Sequence, residues 1–202
     1  MSGNSKVGIF GGTFNPPHIS HVRAAEAFLR QMSLDRLLIV PSCTSPHKKD
    51  AVIASALDRY KMCELAFSEL EKTEISDIEI KRGGRSYTCD TLAALNGESL
   101  ELYFLCGTDA FLSLDKWKNP QDIFNLASIC VIERERASRA NELNDKISEY
   151  KSKFNARIFT LNTVPTTLSS TFVRECLATN RDTFEYVPKS VIEFIEERGL
   201  YK

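Results

Sequence analysis

The chain has 202 residues, of which 43% are hydrophobic and 26% are charged. This composition is typical of a globular protein and excludes a disordered one. Lysine and arginine total 26 against 27 acidic residues, so the net charge is −1. The charge balance argues against a general nucleic-acid binder, which usually carries a basic excess.

The apolar stretches and the cysteines indicate in which cellular compartment the protein is expected. No apolar run approaches the roughly 18–20 residues of a membrane span, and no membrane partner is expected. The start, "MSGNSKVGIFGG", lacks the basic residues and long apolar core of a signal peptide. The six cysteines form no CxxC pair and most lie in apolar runs such as "LYFLCG", which favours buried free thiols over a zinc site or a disulfide framework. We therefore expect a cytoplasmic protein.

Short apolar strands alternate with amphipathic helices along the chain. "KVGIF" (6–10) predicts a strand, and apolar residues at helical spacing after His18 predict a helix that runs to Met32. The later predicted elements are a strand at 36–42, a helix from Ser55 toward Leu70, a strand at 75–80, a loop at 83–88, a helix at 89–95, a strand at 100–107, a strand at 128–134, a charged helix around 140–154 and a strand at 156–161.

Six strands with helices between them predict an α/β fold, a doubly wound, mostly parallel sheet with helices on both faces. We expect one domain over residues 1–202, with a helical C-terminal part at about 168–202. Ligands of such sheets bind beyond the carboxyl ends of the strands, where the strand order reverses. The loops in that position are 11–18, 42–49, 83–88, 107–117, 134–139 and 163–170.

The first of these loops carries an unusual set of residues, "VGIFGGTFNPPHISH" (7–21). Gly11 and Gly12 would let a phosphate approach the backbone N–H groups, and Thr13 adds a hydroxyl. His18 and His21 share one face of the first helical turn, where the helix N-terminus already favours an anion. The segment therefore predicts a phosphate site; the alternative is a glycine turn with incidental histidines.

Other phosphate and metal motifs are absent from the sequence. No GxxxxGK[ST] or GxGxxG string occurs, and the HxxH spacing lacks the third ligand and the glutamate of a zinc enzyme.

A second cluster of donors lies at "LSSTFVREC" (168–176). Ser169, Ser170 and Thr171 begin a predicted helix, and Arg174 lies one turn further on. Serine and threonine are good N-caps, so a purely structural role is the alternative. Three consecutive hydroxyls with an arginine exceed what capping needs, and they could hold a second phosphate at the opposite rim of the cleft.

Five segments carry a resemblance to a known family. "GGTFNPPHISH" resembles the (H/T)xGH signature of the nucleotidyltransferase superfamily, and "LSSTFVR" resembles its ISSTxxR signature. "PSCTSPHKKD", "EIKRGGRSYTCDTL" and "FLCGTDAFLSLDKW" resemble loops of the bacterial nicotinate-nucleotide adenylyltransferases. The similarity runs from residue 7 to the terminal "ERGLY". Ser20 stands where the family usually has glycine, and Asn15 where aspartate is common.

The resemblance implies a Rossmann-like fold and a reaction of NAD biosynthesis. ATP and nicotinate mononucleotide would give nicotinate adenine dinucleotide and pyrophosphate, with Mg²⁺ bound through the ATP phosphates and no metal site on the protein. Because a phosphate monoester is mostly dianionic at pH 7, the nucleophile needs no general base, and catalysis is positioning and electrostatics. A homo-oligomer is compatible with the resemblance.

The resemblance also implies the site residues. Those for ATP are Gly11, Gly12, Thr13, Phe14, His18, His21, Gly107, Asp109, Ser169, Ser170, Thr171 and Arg174. Those for nicotinate mononucleotide are Thr13, Lys48, Tyr87, Thr88 and Trp117, and those for catalysis are His18, His21, Lys48 and Arg174.

Several of these residues have an ordinary structural alternative. Asp109 is expected at a ribose but could cap a helix, and Lys48 could be a solvated charge. Trp117 is expected to stack on the pyridine ring, beside backbone donors at Tyr87 and Thr88, but a lone tryptophan is more often a core residue. The rival functions are another transferase of the superfamily, with phosphopantetheine or cytidylyl transfer, and a non-catalytic nucleotide-binding regulator.

Overall fold

A computed structural model of the protein describes residues 4–44, 54–132, 139–163, 168–179 and 181–201. In these residues six strands form one sheet in the order β3-β2-β1-β4-β5-β6, and every pair of neighbouring strands is parallel. The strands are β1 (Ser5–Gly12), β2 (Arg36–Pro41), β3 (Thr73–Ile75), β4 (Leu100–Gly107), β5 (Ala127–Ile132) and β6 (Ile158–Leu161). This confirms the predicted α/β class with a parallel sheet.

The helices of the described residues complete the alternation. They are α1 (Ile19–Met32), α2 (Ala56–Ala66), α3 (Ile78–Arg82), α4 (Thr88–Leu95), α5 (Thr108–Phe111), α6 (Pro120–Leu126), α7 (Ala140–Phe154), α8 (Ser170–Ala178) and α9 (Lys189–Glu197), with a 3₁₀ turn at Leu114–Lys116.

Helices cover the sheet on both faces because successive strand residues point to opposite sides. In β2, Leu37 and Ile39 pack with α1, α2, α8 and α9, while Leu38 and Val40 pack with α4, α6 and α7. At Gly8 of β1 a Cβ atom would lie 2.4 Å from the Leu34 side chain, so glycine permits this close packing of the chain that follows α1. Both faces of the strands are thus buried, which explains their continuous apolar sequences.

One predicted strand is mostly wrong. The alternation in "ISDIEI" favoured a strand over 75–80, but β3 ends at Ile75 and the chain turns into the short helix α3. Glu79 is 7% exposed, and its carboxylate accepts a 2.6 Å hydrogen bond from Thr91. Because a buried acid takes the inward position, the apparent alternation has no structural meaning here.

The remaining features concern membrane spans, cysteines and domain number. Across the described ranges, no helix combines the length and the apolar character that a membrane span requires. All six cysteines lie in those ranges as free thiols, and five of them are buried. The division of the chain into a single domain stays a prediction.

Candidate active site

The reversal of strand order falls between β1 and β4, where ligands of such sheets bind. The chain runs from β1 outward through β2 to β3 and then returns to β4 on the other side of β1. The crevice at their carboxyl ends is therefore bordered by the turn after β1 and the start of α5, as the sequence predicted.

His18 and His21 lie together at the start of α1. His18 is the N-cap residue, 1% exposed, and the two imidazole centroids are 3.8 Å apart. The backbone N–H of His18 donates to Nδ1 of His21 at 3.2 Å. Because Nδ1 accepts this bond, a neutral His21 ring carries its proton on Nε2, where it is a donor. His21 is therefore arranged to donate a hydrogen bond from Nε2.

An aromatic cluster packs against the turn that follows β1. Phe14 has a left-handed backbone (φ 48°) and a side chain only 2% exposed. Its ring packs edge-on against Phe10 (5.3 Å), Phe67 (6.0 Å) and His21 (5.1 Å). A Cβ atom at Gly12 would lie 3.0 Å from this ring, so glycine suits the position. The Phe14 side chain is thus part of the core, and only its backbone remains to meet a nucleotide.

The second donor cluster contacts the first turn directly. Ser170 Oγ donates to the carbonyl of Pro16 at 3.0 Å, and Arg174 Nη1 donates to the carbonyl of Asn15 at 2.9 Å. The other two hydroxyls also have protein partners: Ser169 Oγ accepts from Phe172 N at 3.2 Å, and Thr171 Oγ1 accepts from Arg174 Nη2 at 3.2 Å. Ser169 therefore does cap α8, as the structural alternative had it, and a hydroxyl that accepts one bond still has a proton to donate.

A cavity of about 240 Å³ opens beside the turn. It is lined by Gly11, Gly12, Thr13, Ser42, Glu79, Ser86, Tyr87, Thr88, Phe104, Lys116, Trp117 and Lys118. Four of the predicted nicotinate-nucleotide residues, Thr13, Tyr87, Thr88 and Trp117, thus lie around one space. Thr88 is the first residue of α4, whose leading N–H groups have no partner within the helix.

The Trp117 side of this cavity is held by a buried tyrosine. Trp117 is half-buried, packs edge-on against Phe104 at 6.4 Å and donates from Nε1 to Ser113 Oγ at 3.3 Å. Tyr150 Oη lies 3.1 Å from the carbonyl of Phe111 and 3.0 Å from Asp115 Oδ1, and it accepts from Asp115 N at 3.3 Å. Burial raises the pKa of Tyr150 to about 12, so its hydroxyl stays protonated.

Asp115 is the charged residue among the contacts that hold the Trp117 segment in place. Burial by itself would raise the pKa of its carboxyl, but hydrogen bonds from Lys146 (3.1 Å) and Tyr150 outweigh burial, and the pKa lies below the ordinary value. The segment that presents Trp117 is therefore fixed by an ionised carboxylate.

A smaller cavity, about 40 Å³, lies on the other side of the turn. Its lining includes Ser20, His21, Arg23 and Gly107. Asp109 lies just beyond, in α5, with a side chain that is 85% exposed and paired with Arg139 at 2.5 Å. The predicted ATP residues Gly107 and His21 thus share a space distinct from the one around Trp117, and the turn separates the two.

Among the described residues, the structure brings together most of the predicted site, but Asp109 lines neither cavity. Lys48 lies outside the described residues. Sequence reasoning missed Arg59, Glu79 and Lys118. Only Lys118 carried a usable signal, because it directly follows Trp117; its Nζ lies 2.9 Å from Asp90 and 4.7 Å from the Tyr87 ring centroid.

The donor set has no ready place for a bare metal ion. Among the described residues, no group of three or more His, Cys, Asp and Glu side chains could hold one. The groups around the turn are N–H donors, hydroxyls and imidazoles, which suit the oxygens of phosphates.

The comparisons with known proteins agree with this geometry. The profile of the cytidylyltransferase-like family matches residues 9–176. A probable nicotinate-nucleotide adenylyltransferase of Clostridium novyi (strain NT) is 38% identical over 200 residues, covering 98% of this chain and 99% of that protein. A protein of the same name from Desulfatibacillum aliphaticivorans is 35% identical over 214 residues, covering 97% of this chain and 99% of the relative.

Solved structures share the fold. The Plasmodium falciparum nicotinic acid mononucleotide adenylyltransferase complexed with NaAD superimposes with a TM-score of 0.80 over 98% of this chain and 97% of that one, at 18% identity. This likeness supports the Rossmann-like architecture, while the curated relatives define the family. The chain therefore belongs to the cytidylyltransferase-like family and, within it, to the nicotinate-nucleotide adenylyltransferases.

Proposed function

We propose that the site transfers the adenylyl group of ATP to the 5′-phosphate of nicotinate mononucleotide, giving nicotinate adenine dinucleotide and pyrophosphate. The observation that carries this proposal is the pair of cavities that flank one donor-rich turn. Residues 11–13 border the larger cavity and His21 borders the smaller one. Two ligands bound in these cavities would bring their phosphates together at the turn.

The nucleophile of this reaction needs little activation. An oxygen of the 5′-phosphate attacks the α-phosphorus of ATP, a new P–O bond forms, and the bond to the bridging oxygen of pyrophosphate breaks. The attacking phosphate is already mostly dianionic at pH 7. The obstacle is the approach of two polyanions and the charge that develops on the leaving group, so preorganised donors are the main resource.

The residues of the turn and of α8 supply those donors. We assign His18 and His21, with the backbone N–H groups of Gly11 and Gly12, to the phosphates at the reacting centre. Arg174 and the hydroxyls of Ser169 and Thr171 are assigned to the outer phosphates. Ser170 is assigned there through its backbone N–H at the start of α8, because its hydroxyl proton is donated to Pro16. Lys48 is assigned to the reacting phosphates from the sequence resemblance alone. Mg²⁺ bound to the ATP phosphates would supply further positive charge, in keeping with its preference for phosphate oxygens and water over protein cages.

The larger cavity is assigned to the pyridine nucleotide. The indole of Trp117 offers a face to the ring, and the first N–H groups of α4, at Thr88 and Cys89, offer donors to the carboxylate of nicotinate. A nicotinamide has an NH₂ group that must donate, which these N–H groups cannot accept. The assignment therefore favours the acid over the amide. Gly107, which lines the smaller cavity, and Asp109, two residues further on, are assigned to the nucleoside of ATP. The Asp109 carboxylate is assigned to the ribose.

We also propose a cytoplasmic location, because six free thiols suit a reducing compartment. The possibility of a homo-oligomer stays a prediction.

Release of pyrophosphate tests the function. The purified protein is mixed with ATP and Mg²⁺ and, in separate reactions, with nicotinate mononucleotide, nicotinamide mononucleotide or phosphopantetheine, and CTP replaces ATP in a parallel set. We expect turnover with ATP and nicotinate mononucleotide above all other pairs. ATP binding without pyrophosphate release from any pyridine nucleotide would instead favour a regulator, and turnover only with CTP or phosphopantetheine another transferase.

A further inference from the structure

A buried arginine in α2 joins the two turns that border the larger cavity. Arg59 is 1% exposed, and its guanidinium donates hydrogen bonds only to main-chain carbonyl oxygens among the described residues. The bonds run from Nε to Ala54 at 3.1 Å, from Nη1 to Thr13 at 2.8 Å, and from Nη2 to Ser42 at 2.6 Å and Cys43 at 2.9 Å. Thr13 follows β1, and Ser42 and Cys43 follow β2.

These carbonyls need a partner because the sheet ends just before them. The register of β1 and β2 closes at Gly12 opposite Pro41, and one further backbone bond joins Ser42 N to the carbonyl of Gly12 at 2.9 Å. Beyond that point the strands no longer satisfy each other, and a buried carbonyl without a donor is costly. A planar guanidinium presents five donors in a fixed fork, so one side chain can span both turns.

The connection continues from the second turn to the loop that leads into α4. Cys43 N donates to Ser86 Oγ at 2.9 Å, and Ser86 N donates to the carbonyl of Thr44 at 3.0 Å. Ser86 precedes Tyr87 and Thr88 in the cavity wall. Arg59 is thus linked on one side to the phosphate turn and, through residues 42–44, to the loop on the pyridine side.

The charge of Arg59 is not matched by a bonded acid. Within the described ranges it forms no ion pair, and burial lowers the pKa of its guanidinium below the ordinary value. Burial of a cation without a carboxylate partner destabilises the fold, and apolar residues of similar volume would stabilise this core position at least as well. The gain from this residue therefore has to come from the geometry it imposes.

We propose that Arg59 is a positioning residue that fixes the separation between the phosphate turn and the pyridine-side loop. The proposal rests on the proposed function, since it concerns the approach of the two substrates. Each turn still follows its own strand without Arg59, so each substrate should still bind. What changes is the alignment of the two reacting phosphates, and a misplacement of about 1 Å can cost about 10²-fold in rate.

Steady-state kinetics on Arg59→Met and Arg59→Lys test this. Both are measured well below their melting temperatures, with kcat expressed per folded enzyme. We expect Arg59→Met to lose about 10²-fold in kcat with much smaller changes in either KM, as for a loss of alignment. Arg59→Lys keeps the charge but not the planar fork, and it should fall between Arg59→Met and the wild type.

Met62→Ala is the matched control. Met62 lies one turn further along α2, is fully buried and packs in the apolar core, without the guanidinium that binds the carbonyls of the turns. This variant should lower the melting temperature while its kcat per folded enzyme stays close to the wild-type value. The comparison separates loss of alignment from loss of stability in the same helix.

The outcomes are distinct. If Arg59→Met melts earlier but keeps the wild-type kcat, the residue is merely structural and the proposal is overturned. Should that variant fail to fold, Arg59→Lys decides: a reduced kcat supports the proposal, and a wild-type kcat overturns it. A rise in both KM values at unchanged kcat also overturns it. Failure of the proposed function is recognised separately, because the wild type would then release no pyrophosphate from pyridine mononucleotides.

Discussion

The choice between nicotinate and its amide can be tested at one backbone N–H group. Thr88 is the first residue of α4, and it lines the larger cavity. Proline is well tolerated at the first position of a helix, and it lacks the N–H. The preceding residue, Tyr87, has φ −106° and ψ 129°, which is the conformation that a following proline requires. Thr88→Pro should therefore delete one donor and leave the helix in place.

The magnitude follows from the type of bond. A hydrogen bond to a carboxylate is worth about 1.5–3 kcal/mol, which corresponds to roughly tenfold to 150-fold in kcat/KM for the acid. The amide gains nothing comparable from the same N–H group, so its kcat/KM should change far less. Thr88→Pro should therefore reduce the preference for the acid by at least about tenfold.

Two further variants make the measurement specific. Thr88→Ala removes the side chain but keeps the N–H group, so its acid-to-amide ratio should stay near that of the wild type. Trp117→Ala should weaken both mononucleotides alike, because the two rings have nearly the same shape. The assay compares kcat/KM for the two mononucleotides in all four proteins. If Thr88→Pro kept the wild-type ratio while remaining folded, the carboxylate site at α4 would be wrong.

Three other predictions address the turn and the fold. His18→Ala and His21→Ala should each lower kcat by about 10²–10³-fold, with asparagine retaining more activity than alanine at each position because the role is donation; equal turnover of all variants would contradict it. Tyr201→Phe deletes the buried 2.7 Å bond to Asn15 Oδ1, which keeps its 3.0 Å bond from Ala54 N, so thermal melting should shift down by about 2–4 °C for a loss of about 1 kcal/mol. The depressed pKa of Asp115 stabilises the fold above the ordinary aspartate pKa of about 3.9, and that stability is lost as the pH falls through the lower folded value. Urea unfolding of Asp115→Asn should therefore show weaker stability near neutral pH and a smaller decline in acid than the wild type shows.

The sequence predicts the sheet well because its strands are buried on both faces. "LELYFLCG" is apolar except for Glu101 near its start, and β4 covers the same residues, 100–107. The prediction is wrong at 75–80, where the acid at Glu79 points inward to Thr91. Whether an acid is buried depends on a partner from another element, in this case α4, and local alternation carries no information about that partner.

The residues of the candidate site also fall into those that the sequence predicts and those that only the fold reveals. Residues that present donors to a ligand lie in recognisable motifs, so His18, His21 and Trp117 could be named from the sequence. Arg59 could not, because an arginine in a helix reads as a surface residue until the carbonyls that surround it are known. The serine cluster is intermediate: its motif is visible, but the bond from Ser170 to Pro16 is visible only in the fold.

The turn at 13–16 is held by side chains that come from three distant parts of the chain. Arg59 binds the carbonyl of Thr13, Arg174 that of Asn15, Ser170 that of Pro16, and Tyr201 binds the Asn15 side chain. Because all four act on one short segment, removing a second after the first should cost less in kcat than removing it from the wild type, since the turn is already displaced. Variants that act at independent places would instead multiply their effects. The test measures kcat for Ser170→Ala, Tyr201→Phe and the double variant. A loss in the double variant smaller than the product of the two single losses would show that the turn responds as one unit. A loss equal to that product would show that the two side chains act separately.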